Sequence, residues 1–598
     1  MAMNTPHSIT PRWILSALCA LGASIAAMAV MVPAAHAYVS PAQAEHAAER
    51  GADWFQAHQE EGGSLGTDWA MTALAAAGLN AADVSTSLAA PSAQDFYLGE
   101  WQAEGPGGAA TDAERGILTG IPGGIQPSRL SADTEATKSN LVARIAELFD
   151  GTQIGEAGLL NDDIFGVLAL HQAGAPQVLL RELVDYLRTK QLPDGGWTWN
   201  TSPGAPADTD MTGSVVGAFC AAGVGPGDPD LDQAIALLHS LQDPASGGFI
   251  APPESFGIGV NTDTTAWVVS GLIECGIDPQ GPEWTTEQGK TPLDYLLSMQ
   301  RPDGHFDWTA EYAGGAFETY DAVRPLGGIG FSTEPPARLD GISPAVRPAA
   351  AVANGTTVPV TLVIDHGPGA EDVRMCRVDV ASGVDLDGLL GAAEAASTPA
   401  GCVDGFEAEA VGAGTRLTSL DGVAETTDYA WQGGVDGATP APELAQPVGF
   451  GDLVFLRFAP KPGAPATDAA AAPEVEVRAL RPTRAPRAHR PRVAVLGRAR
   501  WRDNSLWVRL QCPRGNGALG CRGVLTLRFR APGLRGLRQG GAAAFALRSG
   551  ATASFPIEIT HALRRDAGKS RVRLRIVAAT RAEDGSVRPT RVHRFLSR

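Results

Sequence analysis

A motif recurs along the first half of this chain at a period that no single helix or strand explains. Turn-like segments opening on glutamine and carrying glycine stand at Gln59 (EEGGSL), Gln102 (AEGPGGA), Gln191 (LPDGGW), Gln242 (DPASGGF) and Gln300 (RPDGHF). A small-residue stretch with an acidic residue near its start recurs in phase with them, at Asp68, Asp112, Asp163, Asp210, Asp263 and Glu318. These markers are 44, 51, 47, 53 and 55 residues apart. Six units therefore fill positions 40 to 335, and a period near fifty residues belongs to stacked supersecondary units.

Each unit reads as a helical hairpin. Its first helix is amphipathic, as in VLLRELVDYLRTKQ and LDQAIALLHSLQ, with one solvated face. The second is rich in Ala, Gly and Val, starts at a capping Thr or Asp, and ends at Gly78, Gly174, Gly223 or Gly276. An outer amphipathic ring around an inner small-residue ring follows. The expected fold is multidomain, led by an α/α toroid of six hairpins and twelve helices over 38–345, closed because an open stack would expose two apolar ends.

The QLPDGGW and QDPASGGF turns, followed by DTDMTG and NTDTTA, resemble the repeats of the terpenoid cyclase and prenyltransferase (squalene-cyclase-like) superfamily. That resemblance implies the toroid and leaves the chemistry open. Residues 346–460 change to strand-like VPVTLVID and LVFLRF, with a short helical DLDGLLGAAEAA, and read as a sheet-rich α+β domain whose strands are half-buried. Their order, with the YAWQGGVDG turn and a terminal GD-hydrophobic strand, resembles the C-terminal β domain of transcobalamin-like proteins. An Ala/Pro/Arg-rich linker spans 461–492, and 493–598 alternates in the manner of a small β-sandwich.

Charge divides along the same lines. Residues 481–598 carry 27 basic and 5 acidic side chains, near +22, so the net charge of −19 leaves the first 480 residues near −41. Arg571, Arg573 and Arg575 share one strand face, a solvated face or a patch for an anionic cell-envelope polymer. Nucleic acid is not an expected partner, since aromatics do not interleave the basic residues. At the N-terminus, Arg12, the apolar stretch Trp13 to Val32 and Ala35-His36-Ala37 read as a secretory signal over 1–37, cleaved or kept as an anchor, which makes the protein secreted or surface-bound. Six cysteines then remain, an even number suited to that compartment. Cys512 with Cys521 and Cys376 with Cys402 are the expected disulfides; Cys220 and Cys275 are either a bond or two thiols. No zinc spacing is present, and the protein is expected to be monomeric.

Two functions compete. By resemblance to transcobalamin, a bulky, partly apolar ligand such as cobalamin or another corrinoid would lie between the toroid mouth and the middle domain, facing Trp431, Gln432 and Gly434 on the YAWQGGVDG turn. That turn also reads as an ordinary hairpin with a core tryptophan. By resemblance to the cyclases, an isoprenoid would react in the toroid cavity, with Asp208 and Asp210 matching the first two carboxylates of the DxDD motif whose middle member donates a proton. Met211 stands where the last Asp would be, which removes a paired carboxyl, and the Ala/Val/Gly inner helices lack the aromatic faces that stabilise cations. Asp208, Asp210 and Asp263 have a plainer reading as helix caps. Trp199, Asn261, Trp267, Glu318 and Tyr320 recur less across the units and are candidate ligand contacts. A surface scaffold with no ligand is the third reading.

Overall fold

The computed structural model describes residues 39–87, 90–252, 258–336, 338, 352–353, 355–367, 373–411, 414–435, 443–461, 493–502, 505–513, 521–529, 538–548, 550–558, 572–581 and 587–596. The signal at 1–37, the linker beyond residue 461 and Arg571 lie outside them, as do the side chains of Arg573 and Arg575. The molecule combines a helical body with several small sheets.

Thirteen helices occupy the described first half. Six of them are inner helices: α2 (Ala70–Ala76), α4 (Ala110–Gly120), α7 (Leu160–Gln172), α9 (Thr209–Ala221), α11 (Thr262–Glu274) and α13 (Ala316–Leu326). Each packs on the next, and α13 packs back on α2, so they form a closed cycle. Outside them run α1 (Pro41–Ala57), α3 (Ala93–Glu104), α8 (Gln177–Arg188), α10 (Pro229–Leu241) and α12 (Pro292–Met299). The third unit differs from the expected single outer helix, because one-turn α5 (Ala136–Ser139) is cut from α6 (Leu141–Leu148). Asn140 makes the break: its Oδ1 accepts the Ala143 N–H at 3.0 Å and caps α6, while its Nδ2 donates to Pro359 O at 2.9 Å. Small residues let the inner helices approach closely. A Cβ on Gly213 would lie 2.8 Å from Val268 Cα, so α9 and α11 meet almost backbone to backbone.

The recurring glutamines explain the cycle. Gln191 Nε2 donates to Gly195 O of its own turn at 2.9 Å and to Asp230 O of the next outer helix at 2.8 Å. Gln242 Nε2 does the same to Gly247 O at 3.1 Å and Trp284 O at 3.0 Å. Gln300 Nε2 bonds Gly304 O at 3.0 Å and then Ala47 O at 2.7 Å, reaching back 253 residues to α1. The turn glycines allow this approach: Gly195 has φ +92°, and a Cβ there would sit 2.9 Å from Gln233 O.

Strands β1 (Ile250–Ala251) and β2 (Gly259–Val260) pair within the helical body. The middle region holds a sheet ordered β4-β3-β9-β8, in which β3 (Thr357–Asp365) runs parallel to β9 (Leu453–Pro460) and antiparallel to β4 (Val373–Ala381), and β8 (Tyr429–Val435) runs antiparallel to β9; β5 (Phe406–Val411), β6 (Gly414–Leu420) and β7 (Val423–Ala424) form a second sheet. Helix α14 (Leu386–Ala395) packs on β4. The half-buried expectation fails for β3, which is buried from Val358 to Ile364. Its alternation separates two cores rather than core from solvent: Val360, Leu362 and Ile364 join the middle domain's interior, whereas Val363 joins the helical body's. Glu147 with Arg377 at 3.0 Å and Arg129 with Asp452 at 2.6 Å bridge the same seam. In the tail, a three-stranded and a four-stranded sheet share one apolar core that includes Leu506, Val508, Leu525, Phe545 and Ile576.

Three cysteine pairs stand at disulfide distance: Cys220 with Cys275, Cys376 with Cys402 and Cys512 with Cys521, with Cα separations of 5.0, 6.2 and 5.6 Å. The first pair, left open by the sequence, is a bond that joins the C-terminal ends of α9 and α11. Gln300→Ala should cost about 1–3 kcal/mol, since two carbonyl acceptors lose a buried donor. Urea unfolding should show a lowered midpoint, and an unchanged midpoint would mean that the Gln300 bonds do not hold the cycle closed.

Candidate functional site

The inner helices begin in a shared local geometry. Asp208 caps α9 by accepting the Asp210 and Met211 N–H groups at 2.9 and 3.1 Å; Asn261 caps α11 by accepting that of Thr264 at 2.9 Å. Glu318 Oε2 reaches back to the Gly315 N–H at 2.6 Å. A threonine four residues after each cap takes the backbone N–H of the aromatic that follows the glycine turn: Trp197 to Thr212 at 3.1 Å, Phe249 to Thr265 at 2.9 Å and Phe306 to Thr319 at 3.1 Å. Sequence reasoning passed over these threonines, although their recurrence in DTDMT, NTDTT and GAFET was visible.

Asp210 and Asp263 occupy the second helical position of α9 and α11 and do not cap. Both residues are half-buried, and the Oδ1 of each is buried without a hydrogen-bond partner. Burial pushes the Asp210 carboxyl up to about 7, with Asp208 adding to the effect, while a hydrogen bond from the Thr264 hydroxyl opposes it. That hydroxyl in turn accepts from Asn261 Nδ2 at 2.9 Å. Burial, then the charges of Asp321, Glu318 and Asp210, raise Asp263 to about 9. Two such carboxyls cannot both ionise readily at neutral pH, so this end of the helices holds a proton. Glu114 on α4 is another buried carboxyl, with both oxygens unpartnered; burial, then Asp162 and Asp163, raise it well above its usual range.

One turn beyond Asp263 on the same face of α11, Trp267 lines a half-open cavity of about 240 Å³ between the inner helices. Five aromatic side chains wall it: Trp69, Phe165, Trp267, Tyr320 and Phe331. Tyr320 stacks on Trp69 with centroids 5.7 Å apart, and Phe165 meets Trp267 edge-on at 5.5 Å. The expectation that aromatic faces are lacking is therefore corrected: each inner helix contributes few, but their contributions converge. Asp321 and Arg324 also face the cavity. Asp321 accepts from Trp267 Nε1 at 2.9 Å and from Arg324 at 3.2 Å; Arg324 further bonds Ser270 Oγ at 3.1 Å and lies 4.8 Å from the Phe331 ring centroid. Burial raises Asp321 to about 6, with Arg324 and the Trp267 hydrogen bond holding it down.

The other sequence candidates scatter. Trp199 is 42% exposed on the loop before α9. Trp431 is fully buried in the middle domain's core, and its Nε1 donates to Val423 O at 2.9 Å. Gln432 Nε2 bonds Pro460 O at 2.7 Å on the neighbouring strand, and Gly434 lies in the same strand, β8 (Tyr429–Val435). Among the described residues, no group of three or more His, Cys, Asp or Glu has an arrangement able to hold a metal ion.

No family model matches this chain, and no curated protein does. Among solved structures, the type II terpene cyclase MstE from Scytonema is similar at 15% identity over 48% of this chain and 98% of that one, with a TM-score of 0.33. The ent-copalyl diphosphate synthase from Streptomyces platensis is similar at 16% identity over 48% and 49% of the two chains, with a TM-score of 0.27.

The carboxyl shifts set a sign for stability against pH. Unfolded, Asp263 loses its proton near 3.8; folded, it keeps it to about 9. Between those values the folded state binds more protons, so stability falls as pH rises. Asp263→Asn should leave stability little changed near pH 4 and raise it progressively by pH 9 relative to the native chain. Thermal unfolding at pH 4, 7 and 9 checks this, and a difference that does not vary with pH would contradict it.

Proposed function

We propose that the helical body is an α/α toroid of the terpenoid cyclase type and that its central cavity performs acid-initiated chemistry on an isoprenoid olefin. The observation that carries this reading is a cavity walled by five aromatic side chains, one of which, Trp267, stands one helical turn after Asp263, whose carboxyl and that of Asp210 are raised by burial. A carboxyl still protonated at neutral pH can deliver its proton to an alkene carbon. The resulting cation would lie against the faces of Trp69, Trp267 and Tyr320, where ring quadrupoles attract positive charge. Asp321, held down by Arg324 and Trp267, would accept a proton from the carbon next to the final cation, so that the proton gained at one end is released at the other. The overall step is an isomerisation, with no bond to water and no redox partner.

Solvent isotope tests this reading. Incubation with squalene, geranylgeraniol or geranylgeranyl diphosphate in D₂O should give a cyclic product carrying one deuterium. Asp210→Asn should lower its formation by about 10²- to 10⁴-fold, the usual range for a general acid. Absence of product with all three from the native chain, or equal yield from Asp210→Asn, would remove the proposal.

A second reading keeps the chain as a binding protein. Its support is a cleft of about 450 Å³ between the helical body and the middle sheet, bordered by Gln126, Arg129, Glu334, Thr361 and Asp452. Thr361 Oγ1 and Arg129 Nε are buried there without partners. Pockets at such seams suit bulky ligands, and a corrinoid is the ligand implied by the transcobalamin resemblance. Titration with cyanocobalamin and cobinamide, followed by absorbance, decides it: binding weakened by Thr361→Val would favour this reading, and no binding at micromolar concentrations would dismiss it. Three cysteine pairs at disulfide distance suit a location outside the cytoplasm, in keeping with export by the N-terminal signal.

A further inference from the structure

Arg115 on α4 borders two spaces at once. On one side it lines the aromatic cavity. On the other it lines an open groove of about 720 Å³, which runs between the loop at Ser64–Asp68 and α3 and includes Tyr97, Glu100, Trp101 and Glu104. Its guanidinium is fixed at three points: Asp68 at 3.1 Å, Asp112 at 3.1 Å and Pro106 O at 2.8 Å. Yet the side chain remains 33% exposed. A cation clamped between two spaces, with part of its surface free, forms a wall that can still touch what lies on either side.

The charges of the groove restrict what it can take. Glu100 is pushed up by burial, then by the charges of Glu104 and Asp68. A diphosphate head would bring further negative charge against them. A hydroxyl fits better, since it donates to a carboxylate and accepts from the guanidinium in one place. The aromatic cavity, at about 240 Å³, holds only a short apolar chain, and a longer one that continues along Arg115 would enter the groove that this residue also lines.

We propose that Arg115 is a specificity-determining residue dividing one elongated site into an aromatic chamber for an apolar chain and an acidic groove for an uncharged, hydroxylated head. This inference rests on the reading of the central cavity as an isoprenoid chamber, but it concerns binding and does not require that any bond be made there.

The test is equilibrium binding to the full chain of geraniol, geranylgeraniol and geranylgeranyl diphosphate, measured by calorimetry and by quenching of tryptophan fluorescence. Trp267→Phe serves to assign the part of the quenching that arises in the cavity. The native chain should bind geranylgeraniol at least tenfold more tightly than the diphosphate. Arg115→Ala should weaken geranylgeraniol about tenfold, as expected for one lost hydrogen bond to a charged group, and leave geraniol, too short to reach the groove, within twofold. The double variant Glu100→Gln with Glu104→Gln, on an outer helix, should raise affinity for the diphosphate. Equal losses for geraniol and geranylgeraniol in Arg115→Ala would reduce the residue to a structural role. Native preference for the diphosphate, an unchanged diphosphate affinity in the double variant, or no binding of any of the three would overturn the proposal. Failure to find a deuterated product while this binding pattern holds would remove the reaction and leave the two-chamber site standing.

Discussion

The amide of one glutamine per turn, shared between its own glycine turn and a backbone carbonyl of the next unit, is the interaction on which the helical body depends. The glycine turns and the neighbouring outer segments present backbone carbonyls to one another in part-buried seams, where a donor on each side holds them together. Gln191, Gln242 and Gln300 each supply two N–H groups to two such carbonyls. The last of them closes the cycle, because its second acceptor is Ala47 on the first helix. Glycine in the turn is required for the same reason: at Gly304 a Cβ would collide with the Arg50 carbonyl of that helix. Hydrogen bonds repeated in kind at Gln59, Gln191, Gln242 and Gln300 thus tie four of the seams, the closing one included.

Closure creates the site. The N-termini of α9, α11 and α13 each offer partial positive charge, and carboxylate or amide side chains answer it. Asp208, Asn261 and Glu318 fill that role. Once they do, Asp210 and Asp263 are surplus to capping and are driven inward by the helical register, where burial holds their protons on. Their cost to stability is therefore built into the same element starts that complete the cycle. Residues that lower stability without serving the fold are common at functional sites.

Much of the fold was legible because it rests on periodic features. The Gln-Gly turns, the small-residue inner helices and the acidic markers were all read directly, and they carry the hairpins. What was not legible arises between units. Trp69, Phe165, Trp267, Tyr320 and Phe331 come from separate segments, and no window of sequence shows that they enclose one space. The same holds for β3, whose alternation is real but sorts Val363 and Leu362 into two cores, a division that depends on α6 packing behind the sheet. Asn140 interrupts an outer helix because its side chain serves a strand more than two hundred residues away. Trp431 had two readings, a ligand contact by resemblance and a core tryptophan of an ordinary hairpin; its indole is fully buried and bonded to Val423 O within its own domain.

On the proposed acid-initiated reading, the carboxyl that Met211 removes from the motif has a counterpart in the next repeat. Read along one helix, DTDM lacks the neighbouring carboxyl that would hold a proton near Asp210. Across the seam, however, α11 places Asp263 at the equivalent position of the next unit, and Asp210 is among the charges that raise it. Thr264, one residue further, bonds Asp210, and its own oxygen is fixed by Asn261. The charge of Asp210 thus bears on Asp263 in the next repeat, and that repeat's Thr264 holds Asp210. Because the close backbone approach at Gly213 and Gly271 sets the spacing of α9 and α11, a side chain added at either glycine would act on the acid pair through distance alone. The chemistry of the site is in this sense a property of the seam between repeats, and it depends on the same small-residue packing that lets the cycle close.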